Sequence, residues 1–402
     1  MKRSLLINGD AVSATGFARA THKITDILHH SYNIDLLGIN YWGEPHNYPY
    51  RIHPANPGGH GDSWGLWRIK DMLQAIRPDA LVLQNDPWNV VEYVQRFAGT
   101  LPIIAFMPVD GKNCAAGKKL NGLALAIFYT QFALDEARKG GYEGPATVIG
   151  LGVDRAIYRP IPQKLARAKT LGNNVPEGAF IVGNVNRNQP RKRMDLSVAY
   201  FAEWIKRRNI TDAYLYLHLA PTGDKGWDVR QLARYYGISN RLIVPKNTQL
   251  GVGVSEEFLA HVMAGFDVGI NTGWGEGFGL TTLEMMSCGI PQIVGDWSAL
   301  GEWAAPAAML IPCTSTTTMW NDVNVIGGIA DRELFIEALD QLYRDRDLRA
   351  AMGADSVALA SQMQFNWTEI GLTFGDAIES ALAGAGNLLE LPSMPHETEP
   401  LS

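Results

Sequence analysis

Short apolar runs alternate with helix-type patterns along the first half of the chain, and the second half repeats the same grammar. Strand character falls at Leu5–Asn8, Asp35–Ile39, Ala80–Gln84, Ile103–Met107, Ala124–Tyr129 and Thr147–Ile149. Helical patterns lie between several of them, from Phe17, at Leu66–Ile76 and at Val90–Phe97. The series resumes at Phe180–Asn184, Tyr214–Leu217, Leu242–Val244, Val268–Asn271 and Gln292–Val294, followed by helical stretches at Asp331–Arg344, Leu348–Gln362 and Trp367–Leu382. Strands alternating with helices predict a parallel sheet covered on both faces. Between the two series, Gly152–Pro162 is dense in turn signals and closes on two prolines, as a linker would. The expectation is an α/β chain of two Rossmann-like, doubly wound domains, residues 1–160 and 161–366, facing a central cleft. A length of 402 residues suits two such cores. A proline-rich tail, 385–402, is expected to be disordered. Ligands of such sheets bind beyond the carboxyl ends of the strands, so the chemistry is to be sought in the loops that follow them.

The most informative loop is Gly273–Pro291, GWGEGFGLTTLEMMSCGIP, which follows a predicted strand. Gly275, Gly277 and Gly279 allow backbone N–H groups to approach an anion, and the positive end of the helix entered through Phe278, Leu280 and Thr281 adds to the attraction. Glu276 lies in the loop, and Glu284, after seven intervening residues, lies in the helix. A carboxylate there suits the hydroxyls of a vicinal diol. A diphosphate beside a diol describes a nucleotide sugar. The bland alternative is a glycine-rich strand–turn–helix with two solvated glutamates.

A second loop, Gly183–Arg193 (GNVNRNQPRKR), gathers four cations after another predicted strand. Preorganised cations stabilise the charge that builds on a departing phosphate. Any of Arg187, Arg191, Lys192 and Arg193 could face the cleft, the others reaching solvent or a polyanionic acceptor. A solvated basic loop is the competing reading. In the first half, the turn Asn8–Gly16 offers Gly16, then Gly9, for close approach to a phosphate. Asp110 in FMPVDG follows a strand and could accept a hydroxyl or simply form an Asx turn. Asn85–Asp86 stands in a similar place. The aromatic segment Tyr41–Trp67 is either an acceptor platform or, more simply, a long loop packed by its own rings.

Together these residues resemble the donor site of retaining GT-B glycosyltransferases, glycosyltransferase family 4 in particular. Glu276-x7-Glu284 sits in a phrase like the family's EGFGLxxLEAMACGxPVI, with Met285, Met286 and Ser287 as light departures, and Arg187-x4-Lys192 matches its arginine–lysine pair. The resemblance implies that Glu284 binds the ribose, Glu276 a sugar hydroxyl, and Arg187 and Lys192 the leaving diphosphate, with Gly16 close to that diphosphate. It implies transfer of a hexose from a UDP- or GDP-linked donor with retention, by front-face attack, without metal or any cofactor beyond the donor. It also implies that a closing helix, 367–384, packs back on the first domain. Asp110 stands where many members carry a histidine, and Gly150–Leu151 where they carry proline and histidine, so neither histidine role transfers. The acceptor is left open among a glycan, a lipid-linked sugar and a hydroxymethylated DNA base. The N-terminal pattern from GDAVSATGF to QNDPWN resembles glycosyltransferases of phage and bacterial genomes, which adds weight to the DNA base. A sugar phosphorylase, a nucleotide-sugar epimerase or a non-catalytic binder are the alternatives.

Composition narrows the setting. A net charge of −6 argues against indiscriminate nucleic-acid binding. No run of apolar residues is long enough for a membrane span. Cys114, Cys288 and Cys313 are far apart, which fits a reduced, cytoplasmic compartment. Gly275, Gly277 and Gly279 do not complete GxGxxG, Gly111–Lys118 does not complete a P-loop, and Asp345 and Asp347 follow no strand. Oligomeric state has no signature in the sequence.

Overall fold

The computed structural model describes residues 2–59, 61–114, 116–171, 175–220, 224–245, 253–319 and 323–384. Its first sheet comprises β1 (Ser4–Asp10), β2 (Asn33–Ile39), β3 (Arg51–Pro54), β4 (Ala80–Gln84), β5 (Ile103–Met107), β6 (Leu125–Phe128) and β7 (Ala146–Val148). The strands run parallel in the order β3-β2-β1-β4-β5-β6-β7. β4 and β5 are buried along their whole length, because helices cover both faces of the sheet and every position must be apolar or paired. The helices are α1 (Gly16–Leu28), α2 (Leu66–Ile76), α3 (Pro87–Phe97) and α4 (Gln131–Lys139). The Thr15 hydroxyl caps α1 by accepting from the Ala18 N–H.

The second sheet repeats the winding with β8 (Phe180–Val185), β9 (Ala213–His218), β10 (Leu242–Ile243), β11 (Val268–Asn271), β12 (Gln292–Asp296), β13 (Ala308–Thr318) and β14 (Ile326–Ala330). Its order is β10-β9-β8-β11-β12-β13-β14, parallel except for β14, which returns antiparallel to β13. The accompanying helices are α5 (Gln163–Thr170), α6 (Met194–Arg208), α7 (Val229–Tyr236), α8 (Glu256–Ala264), α9 (Leu280–Ser287), α10 (Ser298–Trp303), α11 (Arg332–Arg344) and α12 (Arg346–Ala360). The last helix, α13 (Trp367–Gly384), packs along α1 of the first sheet. Gly371 makes that crossing possible, since a Cβ there would lie 2.6 Å from the Ile27 side chain. Tyr32 also donates to Glu379 of α13 at 2.7 Å.

Strand order reverses direction between β1 and β4 in one sheet and between β8 and β11 in the other. Those switch points open crevices at the carboxyl ends of the strands. One apolar core runs from β1 and α1 through Leu151, Val153 and Tyr158 to Phe278, Leu283 and α13, so the two sheets share packing. A backbone bridge adds to it: the Lys112 N–H donates to the Ile326 carbonyl and the Ile326 N–H to the Lys112 carbonyl, both at 2.9 Å. Four strands differ from the sequence reading. β3 lies hidden in the aromatic segment, β13 ends in a polar run of threonines, β14 (IGGIA) is interrupted by two glycines, and β1 extends through Gly9, which is therefore strand and not turn. The tail expected to be disordered lies outside the described residues.

Candidate active site in the cleft

β8 delivers the basic loop. After Val185 the chain reaches a tight 3-10 turn, Pro190–Lys192, closed by Arg193 in the left-handed region at φ 48° before α6 begins. Proline suits the first position of such a turn because its missing N–H would have no partner there. The tightness of this turn brings consecutive residues, Arg191 and Lys192, onto the loop after β11. The Lys192 ammonium lies 2.6 Å from both carboxylate oxygens of Glu276. Arg191 Nη1 donates to the same carboxylate at 3.1 Å and Asn271 Nδ2 at 3.0 Å. The Lys192 and Glu276 side chains are 9% and 6% exposed. Burial alone would raise the Glu276 carboxyl, but Lys192 and Arg191 hold it down to about 2. Burial and the neighbouring Arg191 charge push Lys192 down to about 8, so both partners are ionised at neutral pH. The Glu276 backbone is fixed as well: its N–H donates to Ser298 Oγ and its carbonyl accepts from the same hydroxyl, each at 3.0 Å.

The facing wall comes from the first sheet and is acidic. Asp110, after β5, lies 3.5 Å from Arg191 Nε. Asp86, at the end of the loop after β4, is pushed up to about 7 by burial and by Asp110 and Asp10. Its carboxylate forms no hydrogen bond or ion pair with another described residue. Asp10, at the end of β1, is raised by burial, against hydrogen bonds from Thr15 and Asn40 and the charge of Arg187 across the cleft.

The glycines of the β11 loop serve close approach. A Cβ on Gly275 would lie 1.9 Å from the Asp110 carbonyl oxygen, and one on Gly277 2.3 Å from Pro108 Cβ. Gly279 enters α9 at φ 88°, a conformation in which a side chain is strained. Phe278 is buried in the shared core and stacks on Trp303, 5.4 Å between centroids. Leu280 belongs to the apolar core, and Thr281 is half-buried. Of these motif residues it is the backbone, not the Phe278 or Leu280 side chain, that can meet a phosphate. Gly16 opens α1 directly opposite, since its Cβ would sit 3.8 Å from Leu280 Cδ2. One turn into each helix, Arg19 of α1 pairs with Glu284 of α9.

The structure thus brings Lys192, Glu276 and Asp110 into one cluster. It alters one assignment. Arg187, expected beside Lys192, instead forms a two-pronged pair with Asp224 at 3.2 Å per contact and is half-exposed. Arg191, which the resemblance left to solvent or a polyanionic acceptor, takes the place against Glu276. A four-residue spacing describes an extended or helical loop, and the 3-10 turn breaks that assumption. Arg19 and Asn271 were also missed; a lone arginine on an amphipathic helix carries no mark of a partner in the other half. In the aromatic segment, Tyr48 stacks on His22 of α1 at 3.7 Å and His22 Nδ1 lies 2.8 Å from Tyr50 Oη, while Tyr48 also stacks on Tyr50 at 5.6 Å, so part of the segment packs on α1 and on itself. Trp42 and Trp67 stay exposed.

Comparison with known proteins agrees with this fold. A family model described as "Family 4 Glycosyltransferase in conflict systems" matches residues 147–370. Sucrose-phosphate synthase from Thermosynechococcus elongatus superposes with a TM-score of 0.77 at 17% identity, covering 96% of this chain and 100% of that one. HepE of Anabaena, in complex with UDP and glucose, gives 0.69 at 16% identity, covering 94% and 100%. WaaG, a glycosyltransferase involved in lipopolysaccharide biosynthesis, gives 0.68 at 15% identity, covering 93% and 99%. At such identities the likeness is one of fold. No curated protein sequence matches the chain.

Proposed function

The chain belongs to the family 4 glycosyltransferases of conflict systems and has the GT-B fold, and from that premise we propose that it is a retaining, metal-independent hexosyltransferase acting on a UDP- or GDP-linked donor in the cytoplasm. The observation that carries this reading is the buried Lys192–Glu276–Arg191 cluster at the switch point of the second sheet, faced by Asp110 from the first. Cations fixed in a desolvated crevice stabilise developing negative charge without reorganising. When the bond from the anomeric carbon to the diphosphate oxygen breaks, its electron pair stays on that oxygen. Lys192 and Arg191 lie where they can balance the charge, with Arg187 at the cleft mouth for the rest of the diphosphate. The acceptor oxygen attacks the same face, and its proton passes to the departing phosphate oxygen. Glu276, whose two oxygens accept from Lys192, Arg191 and Asn271, meets a hydroxyl of the transferred sugar as the cations turn to the diphosphate, and Glu284 binds the ribose.

The acceptor-side wall favours a neutral polyhydroxyl compound, a glycan or sugar conjugate, over a polyanion. Asp10, Asp86 and Asp110 line that wall, and in so far as burial leaves them ionised they would meet the phosphates of DNA with like charge. A screen of UDP- and GDP-sugars for hydrolysis, transfer and protection against melting tests the donor assignment, since a ligand that binds the folded state raises its stability by mass action. No protection and no turnover with any donor would overturn it. Undiminished turnover in EDTA is expected. Product formed only with inorganic phosphate would identify a phosphorylase instead. A salt titration of duplex DNA binding tests the acceptor reading, because phosphate contacts produce a steep negative slope; little binding at low salt is expected.

A further inference from the structure

Arg19 is a side chain of the first domain that does its bonding in the second. It projects from the first turn of α1, pairs through Nη1 with Glu284 Oε1 on α9 and through Nε with Glu256 at the start of α8. Its guanidinium also lies 5.8 Å from the Tyr158 ring centroid, in the linker. Four elements therefore meet at one guanidinium that is 21% exposed, over a Glu284 side chain that is 1% exposed. The two cleft glutamates differ in what they have left to offer. Both oxygens of Glu276 are taken by Lys192, Arg191 and Asn271. Glu284 has one oxygen engaged by Arg19, and its other, Oε2, is buried with no hydrogen-bond partner among the described residues. A buried carboxylate oxygen left unmatched is costly unless a ligand completes it. The planar fork of an arginine, held at its other edge by Glu256, fixes the orientation of the carboxylate it grips.

We propose that Arg19 is a positioning residue for nucleotide recognition: by clamping Oε1 of Glu284 it presents Oε2 to the ribose hydroxyls of the donor, and it ties that recognition to the closed arrangement of the two domains. This rests on the assignment of Glu284 to the ribose under Proposed function. Because the clamp comes from the opposite domain, the diol is gripped well only when α1 stands against α9. Opening the cleft withdraws the clamp and loosens the nucleotide, which couples product release to domain opening.

The test compares binding of UDP and GDP with binding of their 2′,3′-dideoxy counterparts to the full chain by calorimetry. For the nucleotide that binds, the wild type should prefer the ribose form by about tenfold or more, the usual weight of a hydrogen bond to a charged group. Arg19→Ala should reduce that preference to about threefold or less while changing the dideoxy affinity little. Arg19→Lys, which keeps a cation but not the second anchor on Glu256, should recover part of it. Arg19→Met, which retains the stem over Tyr158, replaces the alanine variant if that one does not fold. In turnover, the loss should appear in KM for the donor and not in kcat. Discrimination that survives unchanged in Arg19→Ala and Arg19→Met overturns the inference while leaving the ribose assignment intact. Tighter binding of the ribonucleotide by either variant also overturns it, since Arg19 would then be a competitor for Glu284. A wild type that binds both forms equally sinks the ribose assignment itself and the inference with it.

Discussion

Replacing Lys192 by alanine removes the ammonium from between two carboxylate oxygens, each 2.6 Å away, in a pocket where the lysine side chain is only 9% exposed. Two consequences can be separated. Loss of one strong, preorganised donor at developing charge lowers kcat by about 10²–10³, or about 2.7–4 kcal/mol in the barrier. Stripping one partner from a buried ion pair costs about 3–5 kcal/mol of stability when the other is left alone. Here Glu276 keeps Arg191 at 3.1 Å and Asn271 at 3.0 Å, so the stability loss falls below that range. Lys192→Met keeps the volume and serves as the folding control. Initial rates at saturating donor give the kinetic term, and urea denaturation gives the stability term. Arg187→Ala is the contrasting variant: its guanidinium is half-exposed and paired with Asp224, so it should cost less than about tenfold in kcat. A folded Lys192→Met enzyme within about threefold of the wild-type kcat would refute the electrostatic role assigned to this lysine.

Two further outcomes follow from the acidic wall and the glycine loop. The Asp86 carboxyl is pushed by burial from its ordinary 3.8 to about 7, so between those values the folded protein holds a proton that the unfolded chain has released. Stability from this group therefore falls as pH rises from about 4 to about 7 and is flat above, and Asp86→Asn should gain on the wild type by up to about 4 kcal/mol between pH 4 and pH 8; equal differences at both pH values in urea denaturation would rule this out. Gly275→Ala places a Cβ 1.9 Å from the Asp110 carbonyl oxygen, so the two loops must separate. Its expected signature is a fall in kcat/KM of about tenfold or more and a larger radius by small-angle scattering, with the second domain still folded; an unchanged radius and rate would show that the loops do not press together in solution.

Much of the architecture was readable because parallel strands buried on both faces leave a plain mark: IIAFM of β5 and FIVGNV of β8 cannot be anything but interior. β13 escaped notice because it ends in a run of threonines at an exposed edge, where tertiary pairing and not apolar content makes a strand. β3 escaped because only four residues of a long aromatic segment pair with β2. Lys192 and Glu276 were legible from spacing, and they do meet. Arg191 was not, since which of four adjacent cations turns inward depends on a single 3-10 turn whose geometry no residue pattern specifies. Arg19 lies beyond any local reading: its partners are in the other half of the chain, and only the docking of α1 on α9 brings them within reach.

The glycine motif itself takes on a second meaning once both sheets are in place. A phosphate cradle needs small residues so that backbone N–H groups can approach the anion. Gly275 and Gly277 must be small for another reason, because the loop after β5 lies against them with no space for a Cβ. One loop thus meets the other domain with its missing side chains, and on the proposed reading it would meet the donor with its backbone. The same pressure brings Asp110 to Arg191, and Arg191 to Glu276. The acidic wall consequently joins the Lys192–Arg191–Glu276 cluster only in the closed cleft. In an open cleft Arg191 would lose Asp110, Glu284 would lose Arg19, and the second domain alone would keep the Lys192–Glu276 pair. A transferase built this way completes its acceptor-side wall and its hold on Glu284 only as the domains close, which limits loss of the activated sugar to water.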